Sequence, residues 1–167
     1  MKNVTKKFSI VSLVNQSGCF DLQFRKDTRH KRLNAPTYYR WKTQFVIALP
    51  KKDAKTLQRV KREMGCGKIN IAKNQARFSV QSVGEIHESV VPFFKKNKLA
   101  EKKKKDFELW QRAVSIISRN RGKYISKWEK NDLMQLIEIQ KAGSKYKNNP
   151  RKLKWAEIAK SISRKSH

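Results

Sequence analysis

The residues best suited to chemistry occupy alternate positions along four segments that are predicted to be β-strands. Apolar side chains alternate there with Lys, Arg, Gln, Asn or Ser, and this period of two predicts a sheet with one apolar and one polar face. We predict that ten of these polar residues bind nucleic acid: Gln23, Arg25, Arg40, Lys42, Gln44, Lys68, Asn70, Arg77, Ser79 and Gln81. Arg pairs with phosphate or guanine, and Gln or Asn with an adenine edge.

A solvated sheet face would also be polar, so polarity alone does not indicate a binding surface. The sign of the charge is more informative, because the same face carries five cations and a single acid, Asp21. We therefore favour a binding face over a face that is merely solvated.

The composition indicates the same kind of partner. Lys and Arg number 41 against 13 Asp and Glu, which gives a net charge of +28 over 167 residues. A compact chain with this charge repels itself unless a polyanion is present, and nucleic acid gains affinity when its counterions are released. An anionic membrane would be expected to bind one basic amphipathic helix, whereas these cations occur from end to end.

Other classes of site are not supported by the composition. The apolar runs are far shorter than the roughly 20 residues that span a bilayer, so we predict no membrane contact. The first 20 residues contain a short apolar run that could be mistaken for a targeting segment, but a buried helix explains it better. Two Cys and three scattered His provide neither a disulfide framework nor a zinc site, and we predict no cofactor.

Hydrophobic periodicity predicts an α+β fold in which a helix precedes two strand–strand–helix units. The predicted helices cover 6–16, 52–64 and 83–94, and the predicted strands cover 18–25, 40–49, 68–72 and 76–82. Inward side chains are expected at Phe20, Leu22, Phe24, Trp41, Thr43, Phe45, Ile47, Leu49, Ile69, Ile71, Phe78 and Val80. Gly65 is the expected end of the second helix, because glycine tolerates a positive φ.

The remainder of the chain is predicted to be helical. Helices are expected at 106–118 and 127–142, and a short one near 155–162. We divide the chain into a core at 1–100, helices at 101–143 that pack on the same domain, and a basic tail at 144–167. Trp128, Tyr146 and Trp155 could stack on unpaired bases, but a core position is favoured for them.

Several segments agree in order and spacing with one known family. They are FSIVSLVNQSGCFDLQF at 8–24, the segment from TQFVIALP to RFSVQSV at 43–83, VVPFFKKNKLAEKKKKDFELWQRAVSII at 90–117 and ISKWEKNDLMQLIEIQKAG at 125–143. Over these residues the chain resembles the LAGLIDADG homing endonucleases and intron maturases. The resemblance implies an αββαββα core whose antiparallel sheet forms a concave saddle along a nucleic-acid duplex.

The family motif also implies a metal-binding acid immediately before the glycine that opens the first strand. Ser17 occupies that position here, and Asn15 occupies the motif's other acidic position. Residues 1–20 contain no acid, and Asp21, the nearest one, falls on a different element. Because Mg²⁺ prefers carboxylate oxygens, we predict no metal site, no catalytic residue and loss of endonuclease activity.

Assembly is affected by the same segment. The resemblance implies dimers formed through small residues of the first helix, whereas Val11, Ser12, Asn15 and Gln16 would form a bulkier or more polar contact. This argues against a homodimer, although a homodimer and a monomer held by other partners both stay open.

The absent acids and the retained charge together favour a non-catalytic protein that binds structured RNA in preference to DNA. The most specific hypothesis is a component of an organellar ribosome bound to rRNA, with neighbouring ribosomal proteins as further partners. A group I intron maturase, an active DNA homing endonuclease and a sequence-specific DNA-binding regulator are the alternatives. The family's usual habitat implies the mitochondrion, with the chloroplast as the alternative.

Overall fold

A computed structural model describes residues 9–27 and 38–146 of the chain. Residues 1–8, 28–37 and 147–167 fall outside these ranges, as does the predicted helix near Trp155. The elements are α1 (Ile10–Ser17), β1 (Gly18–Asp27), β2 (Tyr38–Pro50), α2 (Ala54–Met64), β3 (Lys68–Ile71), β4 (Gln75–Val80), α3 (Val83–Glu85), α4 (Val91–Lys96), α5 (Glu101–Arg119) and α6 (Lys130–Ser144). The expected α+β arrangement, αββαββα with further helices, is confirmed.

The four strands form one antiparallel sheet in the order β1-β2-β4-β3. β1 and β2 pair along their whole overlap, from Gly18 opposite Ile47 to Asp27 opposite Tyr38. β3 and β4 form a much shorter hairpin, from Lys68 opposite Ser79 to Ile71 opposite Ala76. β2 and β4 lie at the centre of the sheet, so β2 joins the two hairpins.

One face of the sheet packs against the helices. Phe20 is central, since its ring lies 5.1–5.4 Å from four other aromatic rings: Phe45, Phe94, Phe107 and Trp110. These residues belong to a buried cluster to which α1, α2, α4 and α5 also contribute. A second cluster joins Leu22, Phe24 and Trp41 to α5 and α6. The predicted inward face is therefore confirmed over β1, β2 and β4.

The ends of the helices follow from local sequence. The Ser9 hydroxyl accepts a hydrogen bond from the Ser12 N–H at 3.2 Å and caps α1. α2 ends at Gly65 with φ of 70°, as predicted. Gly67 also has a positive φ, 94°, and a Cβ there would lie 2.5 Å from the Phe78 ring. The turn between α2 and β3 therefore needs glycine for space as well as for backbone conformation.

Two predicted details are wrong, and one feature of a correctly predicted helix was not foreseen. Ile71 was expected inward but is 55% exposed, because β3 is a short edge strand that ends at this residue. The helix expected at 106–118 begins at Glu101, since lysines are good helix formers and the run at 102–105 continues it. The helix expected at 83–94 contains a π-helical turn at Ile86–Val90, just before Pro92, whose missing N–H interrupts α-helical bonding.

The two cysteines differ in burial. Cys66 is buried, and burial, with the charge of Glu85, raises the pKa of its thiol despite a hydrogen bond with Ser89. Cys19 is partly exposed. In the described part of the chain, no helix is both long and apolar enough to cross a membrane.

Candidate nucleic-acid interface

The strand register places nine of the ten predicted residues on the sheet face opposite the helical core, which we call the polar face. Gln81 follows the end of β4 and joins this face through its hydrogen bond with Lys42. Pairing brings Gln23 opposite Lys42 and Arg25 opposite Arg40. In the other hairpin, Lys68 lies opposite Ser79, and Asn70 opposite Arg77. The alternation along the strands therefore predicted correctly that these residues share one face. Their contact with nucleic acid stays a prediction.

The polar face of the β1–β2 hairpin is an internally bonded network. The side-chain amides of Gln23 and Gln44 donate to Oδ2 of Asp21 at 2.5 and 2.9 Å, and all three residues are buried. Arg25 Nη1 donates to Gln23 Oε1 at 3.5 Å, and Lys42 Nζ donates to Gln81 Oε1 at 2.8 Å. The sequence predicted side chains that bind nucleic acid here, but the amides of Gln23 and Gln44 are bonded to the Asp21 carboxylate on the same face.

The polar face of the β3–β4 hairpin differs, because its long side chains reach solvent. Lys68, Asn70 and Arg77 are exposed, whereas Ser79 is buried. Two cations and one amide are thus available to a ligand over a short stretch of sheet. Exposed cations of this kind can neutralise phosphates with little desolvation.

A cavity of about 490 Å³ lies where α1 ends and β1 begins. The Asn15 Oδ1 atom accepts a hydrogen bond from the Ala100 N–H at 3.0 Å, and Lys103 Nζ donates to the Gly18 carbonyl at 2.8 Å. Other polar side chains that line the cavity are Gln16, Ser17, Asp21, Gln44, Arg77, Lys102, Asp106 and Tyr146.

The residues at this cavity do not fit the metal site that the motif implies. Ser17 offers a neutral hydroxyl, and the neighbouring Gly18 carbonyl already accepts a hydrogen bond from the ammonium group of Lys103. The Asp21 Oδ2 atom accepts two amide donors. Over 9–27 and 38–146, no three His, Cys, Asp or Glu residues are grouped so that they could hold a metal ion. A two-metal centre needs a richer set of carboxylates.

Sequence reasoning missed two members of this cavity. Asp106 was expected only as the first residue of a helix, yet it is buried beside the end of α1. Lys103 belongs to a run of four lysines at 102–105, but it is partly buried and donates to the Gly18 carbonyl of β1, while its three neighbours in the run are exposed. Helical spacing predicts that Lys103 lies nearer the buried face of α5 than Lys104 does, but this prediction requires that the start of α5 at Glu101 be known.

Among the aromatic residues, Trp128 is buried as predicted. Tyr146 lines the cavity at the end of α1. Trp155 lies outside the described residues.

The comparisons with known proteins agree with this geometry. A family model described as LAGLIDADG endonuclease matches residues 12–114, which is more than half of the chain. The chain belongs to the LAGLIDADG endonuclease family. No curated protein matches it significantly.

Solved structures of this family share the fold. A homing endonuclease, I-TnaI, superimposes with a TM-score of 0.67 at 22% identity, over 92% of both chains. I-SmaMI bound to an uncleaved DNA target gives 0.68 at 17% identity, over 90% of this chain and 47% of that chain. The meganuclease I-AabMI bound to uncleaved DNA gives 0.63 at 26% identity, over 78% and 41%. The chain therefore spans nearly all of one relative and about half of the other two.

Proposed function

We propose that this LAGLIDADG protein binds structured RNA through its polar face and does not cleave nucleic acid. The observation that carries the proposal is the contact between Lys103 Nζ and the Gly18 carbonyl, 2.8 Å long, beside Ser17. An ammonium group stands next to the position where the family motif has a metal-binding acid. Its charge would disfavour a divalent cation there, and Asn15 and Ser17 supply no carboxylate to offset that charge.

The preference for RNA is supported by where the charge lies. The helices packed on the opposite side of the sheet also expose many cations, among them Lys55, Lys61 and Arg62 on α2 and Lys130 and Lys141 on α6. A single duplex on the polar face cannot neutralise these. A folded RNA can surround the protein, and rRNA of an organellar ribosome, with mitochondrial location first, is the ligand we propose. An intron RNA bound by a maturase is the next candidate.

The proposal is tested with the full chain at physiological salt. In a buffer with Mg²⁺, which keeps the RNA folded, fluorescence anisotropy should give about tenfold tighter binding to a folded RNA than to a DNA duplex of equal length. Lys103→Ala should remove the hydrogen bond between α5 and the Gly18 carbonyl of β1 and lower the thermal stability of the protein. Lys104→Ala, an exposed neighbour on the same helix, is the matched control and should leave thermal stability unchanged. Sequence-specific binding to DNA with no binding to folded RNA would overturn the proposal.

An active endonuclease is the second candidate, and one observation favours it. Asp21 and Asp106 both line the cavity, so two carboxylates lie near the end of α1. Plasmid DNA incubated with Mg²⁺ or Mn²⁺ distinguishes the two functions. We expect no double-strand cut, whereas a cut that Asp21→Asn abolishes would establish the endonuclease.

A further inference from the structure

An exposed tyrosine lies on the connection between α5 and α6, on the helical side of the molecule. Tyr124 is 74% exposed, more than any other large hydrophobic side chain in the described part of the chain. The connection, residues 120–129, lies over the second cluster, which packs on the core side of β1 through Leu22 and Phe24. A duplex on the polar face would therefore not reach Tyr124.

The connection is held firmly although its tyrosine is exposed. Asn120 Nδ2 donates to the Ile116 carbonyl and to Asp132 Oδ2, both at 2.9 Å, and Arg119 Nη2 donates to Asp132 Oδ1 at 2.6 Å. The buried Trp128 indole donates to the Lys123 carbonyl at 3.2 Å. Tyr124 is thus presented on a fixed backbone, which lowers the entropy lost when a ligand binds it.

The anchoring carboxylate remains charged at neutral pH. Burial acts to raise the pKa of Asp132, but hydrogen bonds from Arg119 and Asn120 and the charges of Arg119 and Lys123 outweigh it and hold the pKa below its usual range. Its charge is offset by Arg119, so it does not cancel the other cations of the connection.

Exposed cations flank Tyr124 in the sequence. Arg121, Lys123 and Lys127 are exposed on either side of Tyr124. An aromatic ring with flanking cations matches an unpaired nucleotide, because the base stacks on the ring and the phosphates contact the cations. A protein partner would be expected to find further apolar surface around the ring, and the flanking residues offer charge instead.

We propose that residues 120–129 form a second RNA-binding site, in which Tyr124 stacks on an unpaired base and Lys123 and Lys127 contact the adjacent phosphates. This inference rests on the proposed RNA ligand. It adds a single-stranded element to the substrate, contacted on the side of the protein opposite the sheet.

The experiment compares two RNA hairpins that differ only in one bulged nucleotide, labelled with 2-aminopurine. The full chain should bind the bulged hairpin more tightly and quench its fluorescence. Tyr124→Ala should weaken binding to the bulged hairpin about tenfold and leave the fully paired hairpin unchanged, while Tyr124→Phe retains the quenching. Met134→Ala on α6, which is 45% exposed, is the matched control and should change neither.

The outcomes separate this inference from the proposed function. If wild type binds both hairpins and Tyr124→Ala leaves the affinities unaltered, the second site is wrong and the RNA ligand stands. If wild type binds neither hairpin, both proposals are overturned. If Tyr124→Ala instead disrupts a complex with a neighbouring protein while RNA binding persists, the loop is a protein-docking site and the inference is wrong.

Discussion

The two hairpins of the sheet are alike on one face and different on the other. Toward the helices, Phe45 on β2 and Phe78 on β4 are both fully buried. On the polar face, the first hairpin encloses Asp21 with Gln23 and Gln44, whereas the second exposes its cations. The repeated strand–strand–helix pattern therefore repeats a core but not a polar surface. The polar groups around Asp21 in the first hairpin are bonded to one another, whereas Lys68, Asn70 and Arg77 of the second hairpin are exposed to solvent.

The largest effect should be the same in both hairpins. Phe45→Ala and Phe78→Ala each remove a buried ring and leave a cavity, so each should lower the free energy of unfolding by about 3–5 kcal/mol. Urea denaturation measures this, with Ile71→Ala as the exposed control that should cost less than about 0.5 kcal/mol. A loss under about 1 kcal/mol for one phenylalanine would break the equivalence of the two core faces.

An intermediate effect should separate the hairpins by stability. Gln44→Ala removes an amide donor from the buried Asp21 carboxylate and should cost about 1–3 kcal/mol. Asn70→Ala changes an exposed side chain and should cost less than about 0.5 kcal/mol. Equal costs in the same denaturation series would mean that the buried network does not stabilise the first hairpin.

The smallest effect on folding is expected for a substitution that should distinguish the two hairpins by the salt dependence of nucleic-acid binding. Arg77→Ala should leave the urea midpoint unchanged but lower the slope of log affinity against log salt by about 0.9 for a duplex, because one phosphate contact is lost. Gln23→Ala carries no charge change, so it should leave that slope unaltered. An unchanged slope for Arg77→Ala would remove the second hairpin from the binding surface.

Much of the fold could be predicted because its signals are local. The alternation at Phe20, Leu22 and Phe24 defines the core face of β1, and Gly65 marks the end of α2. The prediction that Ile71 is buried was wrong, because alternation indicates which face a side chain lies on but not how much of that face the helices cover. The π-helical turn at Ile86–Val90 was missed because its apolar positions also fit an α-helix.

The sequence predicted which residues share the polar face, but not which of them are exposed and which are bonded to one another. Register follows from alternation, so the shared face of Arg77 and Lys68 was accessible from sequence. The bond between Gln44 and Asp21 joins residues 23 positions apart, and that between Lys103 and Gly18 joins residues 85 apart. Which polar side chains form hydrogen bonds with one another therefore depends on tertiary contacts, and these contacts cannot be predicted from the periodicity of the sequence.

The carbonyl groups of β1 depend on partners that are synthesised much later. Trp110 Nε1 donates to the Asp21 carbonyl at 3.0 Å, and Gln140 Nε2 donates to the Leu22 carbonyl at 3.2 Å, across 118 positions. With the Lys103 contact, α5 and α6 supply three such donors. A nascent chain can form the β1–β2 hairpin early, but that hairpin stays incompletely bonded until α6 has left the ribosome exit tunnel. Such long-range closure slows folding and leaves the first strand exposed during synthesis.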